Sequence, residues 1–171
     1  MIIKEVYIDL DSVLCNFNSR FESLFGEKSL MDYPVVSNNA KKKRFKQEFK
    51  DFVANRNFAT LDPMPDFYLA VPFINKISRK IPTYILSSTA TEEYYREISL
   101  QKKEWLKMYD IHITPIFVPG KILKQVYSAP GKILIDDTLS NIVQWRNRGG
   151  IGILHKNWKQ TIKEFETIEK K

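Results

Sequence analysis

With 171 residues, 43% of them apolar and 27% charged, the chain has room for one globular domain and the composition of neither a disordered segment nor a membrane protein. Its formal net charge of +7 favours anionic partners, among them nucleotides, nucleic acid and acidic lipid, although a basic solvated surface gives the same total. The lone cysteine, Cys15, excludes an internal disulfide, the start Met1-Ile2-Ile3-Lys4-Glu5 puts charge where a signal peptide needs apolar residues, and no apolar run approaches the roughly 20 residues that span a bilayer; a soluble, cytoplasmic protein without a membrane partner is expected.

Val6, Ile8 and Leu10 give the alternation of a strand over residues 5–11, with Asp9 and Asp11 at its carboxyl end. Phe17, Phe21, Leu24 and Phe25 then recur at helical spacing, which predicts a helix over residues 13–25 stopped by Gly26. Residues 28–58 differ in character. Pro34 and Ser37-Asn38-Asn39 mark a loop, Lys41-Lys42-Lys43-Arg44 is a run of four cations, and Phe45, Phe49, Phe52 and Val53 form a second helical pattern. The charge run reads first as a solvated helix face. Pro63 and Pro65 close the segment, and residues 17–65 are read as a helical cap inserted into a single domain spanning 1–171.

After Asp66 helices and strands alternate. A helix is expected over residues 67–80, disturbed at Pro72, then a strand over 83–86 that ends at Ser87-Ser88-Thr89. A long helix over 91–109 precedes a strand over 111–118, which Pro115 assigns to a sheet edge or an irregularity. Ile133-Leu134-Ile135 is a strand ending at Asp136-Asp137, followed by a helix through Trp145 that Gly149-Gly150 stops, a strand over 151–154 and a helix over 157–169. Strands separated by helices imply a parallel sheet covered on both faces, a three-layer α/β sandwich with a small helical cap after the first strand.

Ligands of such sheets bind beyond the carboxyl ends of the strands. Three strand ends here carry polar residues: Asp9 and Asp11, Ser87 and Ser88, Asp136 and Asp137. Four carboxylates in one crevice repel one another unless a cation sits among them, and oxygen-only ligands select a hard ion such as magnesium. Asp9 and Asp11, two apart on an extended chain, point to the same side. One can attack phosphorus while the other moves the proton. A hydroxyl such as Ser87 and a lysine can stabilise the transferring phosphoryl group.

The pattern resembles the haloacid-dehalogenase (HAD) superfamily. The resemblance rests on Ile8-Asp9-Leu10-Asp11-Ser12-Val13-Leu14 after the first strand, on Tyr84-Ile85-Leu86-Ser87, and on Ile133-Leu134-Ile135-Asp136-Asp137. Within that superfamily the chain is most similar to the 5'(3')-deoxyribonucleotidases and their phage and bacterial relatives. Phe17, then Phe58 and Leu61-Asp62-Pro63-Met64-Pro65, and Gly149-Gly150-Ile151-Gly152-Ile153 carry that likeness. It implies a magnesium-dependent phosphatase of nucleoside monophosphates acting through an aspartyl-phosphate.

Asp9 would be the nucleophile and Asp11 the acid-base, with Ser87, Ser88 and a lysine on the phosphate. That lysine is Lys124 by spacing, with Lys121 second, and Lys102 is a further cation for substrate. Phe17 and Phe58 would stack on the base, although both have core spacing. Magnesium would be held by Asp9, the backbone carbonyl of Asp11 and the pair Asp136 and Asp137, with Asp137 as direct ligand. Ser12 stands where the family has glycine, and Thr138 where it often has arginine. Two enzyme substrates compete with the nucleotide, a sugar phosphate and a polynucleotide end. A non-catalytic receiver-like regulator also uses acidic strand ends around magnesium, but carries its acidic pair at the first strand rather than the last.

Overall fold

Period-two alternation in the strands builds two cores, one on each face of a single sheet. Val6, Ile8, Ile85, Ile133, Ile135 and Ile153 point to one side, and Tyr7, Leu86 and Leu134 to the other. The computed structural model describes residues 2–27, 29 and 39–170, and the loop expected at Pro34 and Ser37-Asn38 lies outside them. The strands are β1 (Glu5–Ile8), β2 (Thr83–Ser88), β3 (Thr114–Val118), β4 (Lys132–Asp136) and β5 (Ile151–Leu154). All are parallel, in the order β3-β2-β1-β4-β5. β3 is an edge strand, as Pro115 requires.

Among the described residues there are six α-helices: α1 (Phe17–Phe25), α2 (Asn39–Ala54), α3 (Phe67–Ser78), α4 (Tyr95–Met108), α5 (Leu139–Asn147) and α6 (Trp158–Glu169). The larger core lies under α3, α4 and α6, where Phe73, Ile74, Ile98, Trp105, Trp158 and Phe165 are buried. The smaller lies under α5, where Ile142 and Trp145 meet Tyr7 and Leu134. Gly150 allows the return from α5, because a Cβ there would sit 2.2 Å from the Trp145 indole nitrogen. α3 runs through Pro72 without ending, its buried Ala70, Phe73, Ile74 and Ile77 holding the turn that the proline weakens.

Helix α1 starts four residues later than the sequence predicts. Residues 10–15 instead form a tight loop in which the amides of Val13, Leu14 and Cys15 all donate to the Leu10 carbonyl, at 3.3, 2.8 and 3.0 Å. Asn16 then caps α1, its side chain accepting from the Ser19 amide. The apolar run Val13-Leu14-Cys15 carries no helical signal of its own. It is buried because the loop is packed between β1 and Pro63, which bridges to Cys15. Between β3 and β4 lies a 3₁₀ segment, Lys121–Tyr127, in a stretch without helical or strand periodicity.

Candidate active site

The sheet order reverses between β1 and β4: the chain winds outward through β1, β2 and β3, then returns to the far side of β1. A crevice opens at the carboxyl ends of the two strands flanking such a switch point. Asp9 follows β1 directly, its amide donating to the Ile135 carbonyl at 2.9 Å, and Asp136 ends β4. Both are buried. Beyond Asp9, Ser12 adopts φ 59°, in the left-handed region. That conformation is the physical reason a glycine suits this position.

Lys124, from the 3₁₀ segment, places its buried ammonium 2.8 Å from Asp9 Oδ1 and 2.7 Å from Asp136 Oδ2. Burial alone would lower its pKa, but the carboxylates of Asp136 and Asp9 outweigh this and hold it above the ordinary lysine value. Asp9 is shifted upward, first by burial and then by Asp136 and Asp11, against the pull of Lys124. Asp136 is fixed on all sides: its oxygens accept from Lys124, from the Asn141 amide at 3.0 Å and from the Thr138 backbone at 2.8 Å.

Asp9, Asp136 and Asp137 each offer an oxygen, and these atoms lie within 4.8 Å of one another. Three carboxylates that converge this closely repel one another, and the all-oxygen donor set fits a hard divalent cation. The Asp11 carboxylate is not in this cluster. It is drawn instead to Lys102, whose Nζ lies 2.5 Å from Asp11 Oδ2.

Lys102 is not a solvated helix lysine. It is 1% exposed, donates to Ser87 Oγ at 2.8 Å and to the Ser88 carbonyl at 2.7 Å, and sits 5.1 Å from the centre of the Phe58 ring. Ser87 is fully buried beneath Lys102 and does not line the cavity, whereas Ser88 and Thr89 do. Lys102 does not line it either. Its contacts are with Asp11 and the end of β2, because α4 packs directly against the larger core.

Over the carboxylates lies a cavity of about 330 Å³, at the small end for a small-molecule site. Its floor is Asp9, Asp11, Lys124 and Asp137, with Lys121 beside them. Its roof is aromatic: Phe17, Phe45, Phe49 and Phe58. Phe17 and Phe58 stack on each other with ring planes 1° apart, and Phe52 packs edge-on against both. Both rings are nearly buried, so each gives the cavity little free face. Phe45 is only half-buried and lines the cavity, as does Phe49. Sequence reasoning placed Phe45 and Phe49 on a helix without assigning them to the site, and it missed Asn141. The one available signal for Asn141 was its place in the first turn of the helix that follows Asp136-Asp137. Cys15 is plainly packed; burial, then Asp11, pushes its thiol pKa up.

No protein-family model matches the sequence, and no curated protein matches it. Solved structures do. A hydrolase from Streptococcus pneumoniae TIGR4 is similar with a TM-score of 0.56 and 13% identity, over 97% of this chain and 100% of that one. A hydrolase from Pseudomonas syringae gives 0.51 and 10%, over 87% of this chain and 82% of the other. The HAD-hydrolase candidate YfnB of Bacillus subtilis, solved bound to magnesium, gives 0.51 and 11%, over 89% and 86%. Among the described residues no helix is long and apolar enough to cross a membrane. At these identities the likeness is one of architecture, and the chain has the α/β fold of these hydrolases.

Proposed function

We propose that the chain is a magnesium-dependent phosphohydrolase that transfers the phosphoryl group of a monoester to Asp9 and then to water. The observation that carries this reading is the meeting of Asp9, Lys124, Asp136 and Asp137 at the switch point, under an aromatic roof and two residues from Asp11. The magnesium-bound B. subtilis neighbour supports the choice of ion.

An oxygen of Asp9 attacks phosphorus as the ester oxygen leaves with a proton from Asp11, giving an aspartyl phosphate. Asp11 then takes a proton from the water that attacks phosphorus and frees the Asp9 carboxylate. Lys102 holds Asp11 in place. Lys124 sets the Asp9 carboxylate against Asp136 and offsets negative charge gathering on the phosphoryl oxygens. Asp9 and Asp137 would hold the cation, while Asp136, whose oxygens already accept from Lys124, Asn141 and Thr138, supports it from behind. Bound magnesium would neutralise the phosphate and align it with Asp9.

The aromatic roof favours a planar leaving group, and hence a nucleoside monophosphate, with a selectivity set by base stacking, roughly 1–3 kcal/mol. A phosphate-release screen of ribo- and deoxynucleoside monophosphates against sugar phosphates tests the substrate class. Nucleotides should lead by about tenfold or more. Sugar phosphates outrunning every nucleotide would refute the nucleotide reading and leave the phosphatase reading standing.

The sheet order also weighs against a receiver-like regulator. Doubly wound receivers carry the order 2-1-3-4-5. This sheet has β3-β2-β1-β4-β5.

A further inference from the structure

Helix α2 segregates its charge. At about 100° per residue, Lys42, Lys46, Lys50 and Lys43 fall within roughly 100° of arc on one flank. Phe45, Phe49 and Phe52 lie to one side of that flank, with Phe49 and Phe52 buried in the cap. Glu48 and Asp51 fall outside that arc; Glu48 pairs with Arg44, and Asp51 accepts from Gln47. Arg44 also pairs with Glu27. Lys42, Lys43, Lys46 and Lys50 are all exposed, and among the described residues none is ion-paired. Lys42, Lys46 and Lys50 rise in steps of about 6 Å, comparable to the phosphate-to-phosphate step of an extended single strand.

The same flank is one wall of a surface groove. Lys43, Lys46 and Lys50 line it together with Tyr94, a half-buried ring packed edge-on against Phe49 at 5.5 Å; the groove's acidic residues are Glu93 and Glu48, the latter paired with Arg44. Phe49 in turn lines the cavity over Asp9. Cations that track a backbone, with an aromatic ring beside them on which a base can stack, are the two components of a single-strand site. A membrane is a poorer fit, because a helix that lies on lipid inserts an apolar face, and the apolar face of α2 is spent on the cap.

We propose that this flank of α2 docks the sugar-phosphate backbone of a single-stranded nucleic acid, so that a phosphorylated strand end enters the cavity as substrate. The substrate part rests on the phosphatase reading above; the docking part does not.

The test is binding of a short fluorescein-labelled oligothymidylate without a terminal phosphate, followed by anisotropy over a salt series. Four phosphate contacts predict a log–log salt slope near −3 for the wild-type chain. The variant carrying Lys42→Gln, Lys43→Gln, Lys46→Gln and Lys50→Gln should bind at least about tenfold more weakly with a slope near zero. It should still hydrolyse a small aryl phosphate at the wild-type rate, which shows that it is folded. Phosphorylated oligothymidylate should exceed the mononucleotide in kcat/KM for the wild type, and lose that advantage in the variant.

Wild-type binding that is absent, or that the four substitutions leave unchanged, overturns the proposal. So does lysine-dependent binding to phosphatidylserine vesicles that exceeds binding to the oligonucleotide. A wild-type chain that binds the oligonucleotide through these lysines yet turns over no aryl phosphate would sink the phosphatase reading alone.

Discussion

Lys102 shows what a single residue's surroundings add to its identity. A lysine on a helix that the sequence gives no reason to bury is enclosed by Asp11, Ser87 and Phe58, with its charge matched by one carboxylate. Removing one partner of such a pair leaves the other uncompensated. Lys102→Met should therefore release Asp11 from its position and lower kcat on an aryl phosphate by roughly 10²–10⁴-fold, the usual worth of a placed acid-base group, with KM little changed. Steady-state kinetics decide it. A rise in KM with kcat intact would mean that Lys102 contacts substrate rather than positions Asp11. The sequence made Asp9, Asp11, Asp136 and Asp137 legible because each stands at a strand end. Lys124 was legible only by spacing, and its burial between Asp9 and Asp136 is a property of the folded chain. Ser87 and Ser88 illustrate the limit: neighbours on a strand face opposite ways, and only the register of β2 decides which one meets the cavity.

At the scale of elements, the long periodic segments were readable and the short irregular ones were not. β5 and α6 match their patterns almost residue for residue, and Asn157 caps α6 through the Gln160 amide. The loop after Asp9 was misread as helix because an apolar run buried by its neighbours looks the same as one buried by its own periodicity. In the proposed reading, specificity rests on the helices whose aromatic residues line the cavity. Phe45 is half-buried in the roof, whereas Phe17 and Phe58 are committed to each other. Phe45→Ala should raise KM for a nucleoside monophosphate by about tenfold and leave a small aryl phosphate unaffected; equal losses on both would make Phe45 structural.

His155, at the end of β5, gives a pH prediction at the same scale. Burial lowers its pKa, against the weaker pull of Asp66 and Asp136, and its Nδ1 lies 2.8 Å from Thr161 Oγ1. The folded pKa is below the unfolded one, so between them the unfolded chain binds more protons. The contribution is complete above about pH 6.5 and is lost as pH falls through the folded value. Melting temperatures on either side of that window should fall on acidification, and His155→Gln should fall less. An identical acid-side fall in both proteins would show that the imidazole is not the group responsible.

For the whole molecule, topology does what no single motif can. Asp9 and Asp136 lie 127 positions apart in order along the chain, and meet only because β4 returns to pair with β1. The alternation of strands and helices implied a parallel sheet, but strand order is set by which hydrophobic faces the crossovers bury, information spread across the chain. The same return places Lys124 and Asn141 on either side of Asp136, so that one crossover assembles the acidic cluster and the cation that restrains it. Phosphate release from an aryl phosphate, measured for the wild-type chain and Asp9→Asn in magnesium and again in excess chelator, tests the central claim most directly. The wild type should turn over only with magnesium, and Asp9→Asn should keep its fold by circular dichroism while losing all but about 1% of the rate. Wild-type turnover that persists in chelator, or an Asp9→Asn variant that works at a substantial fraction of the wild-type rate, would contradict it.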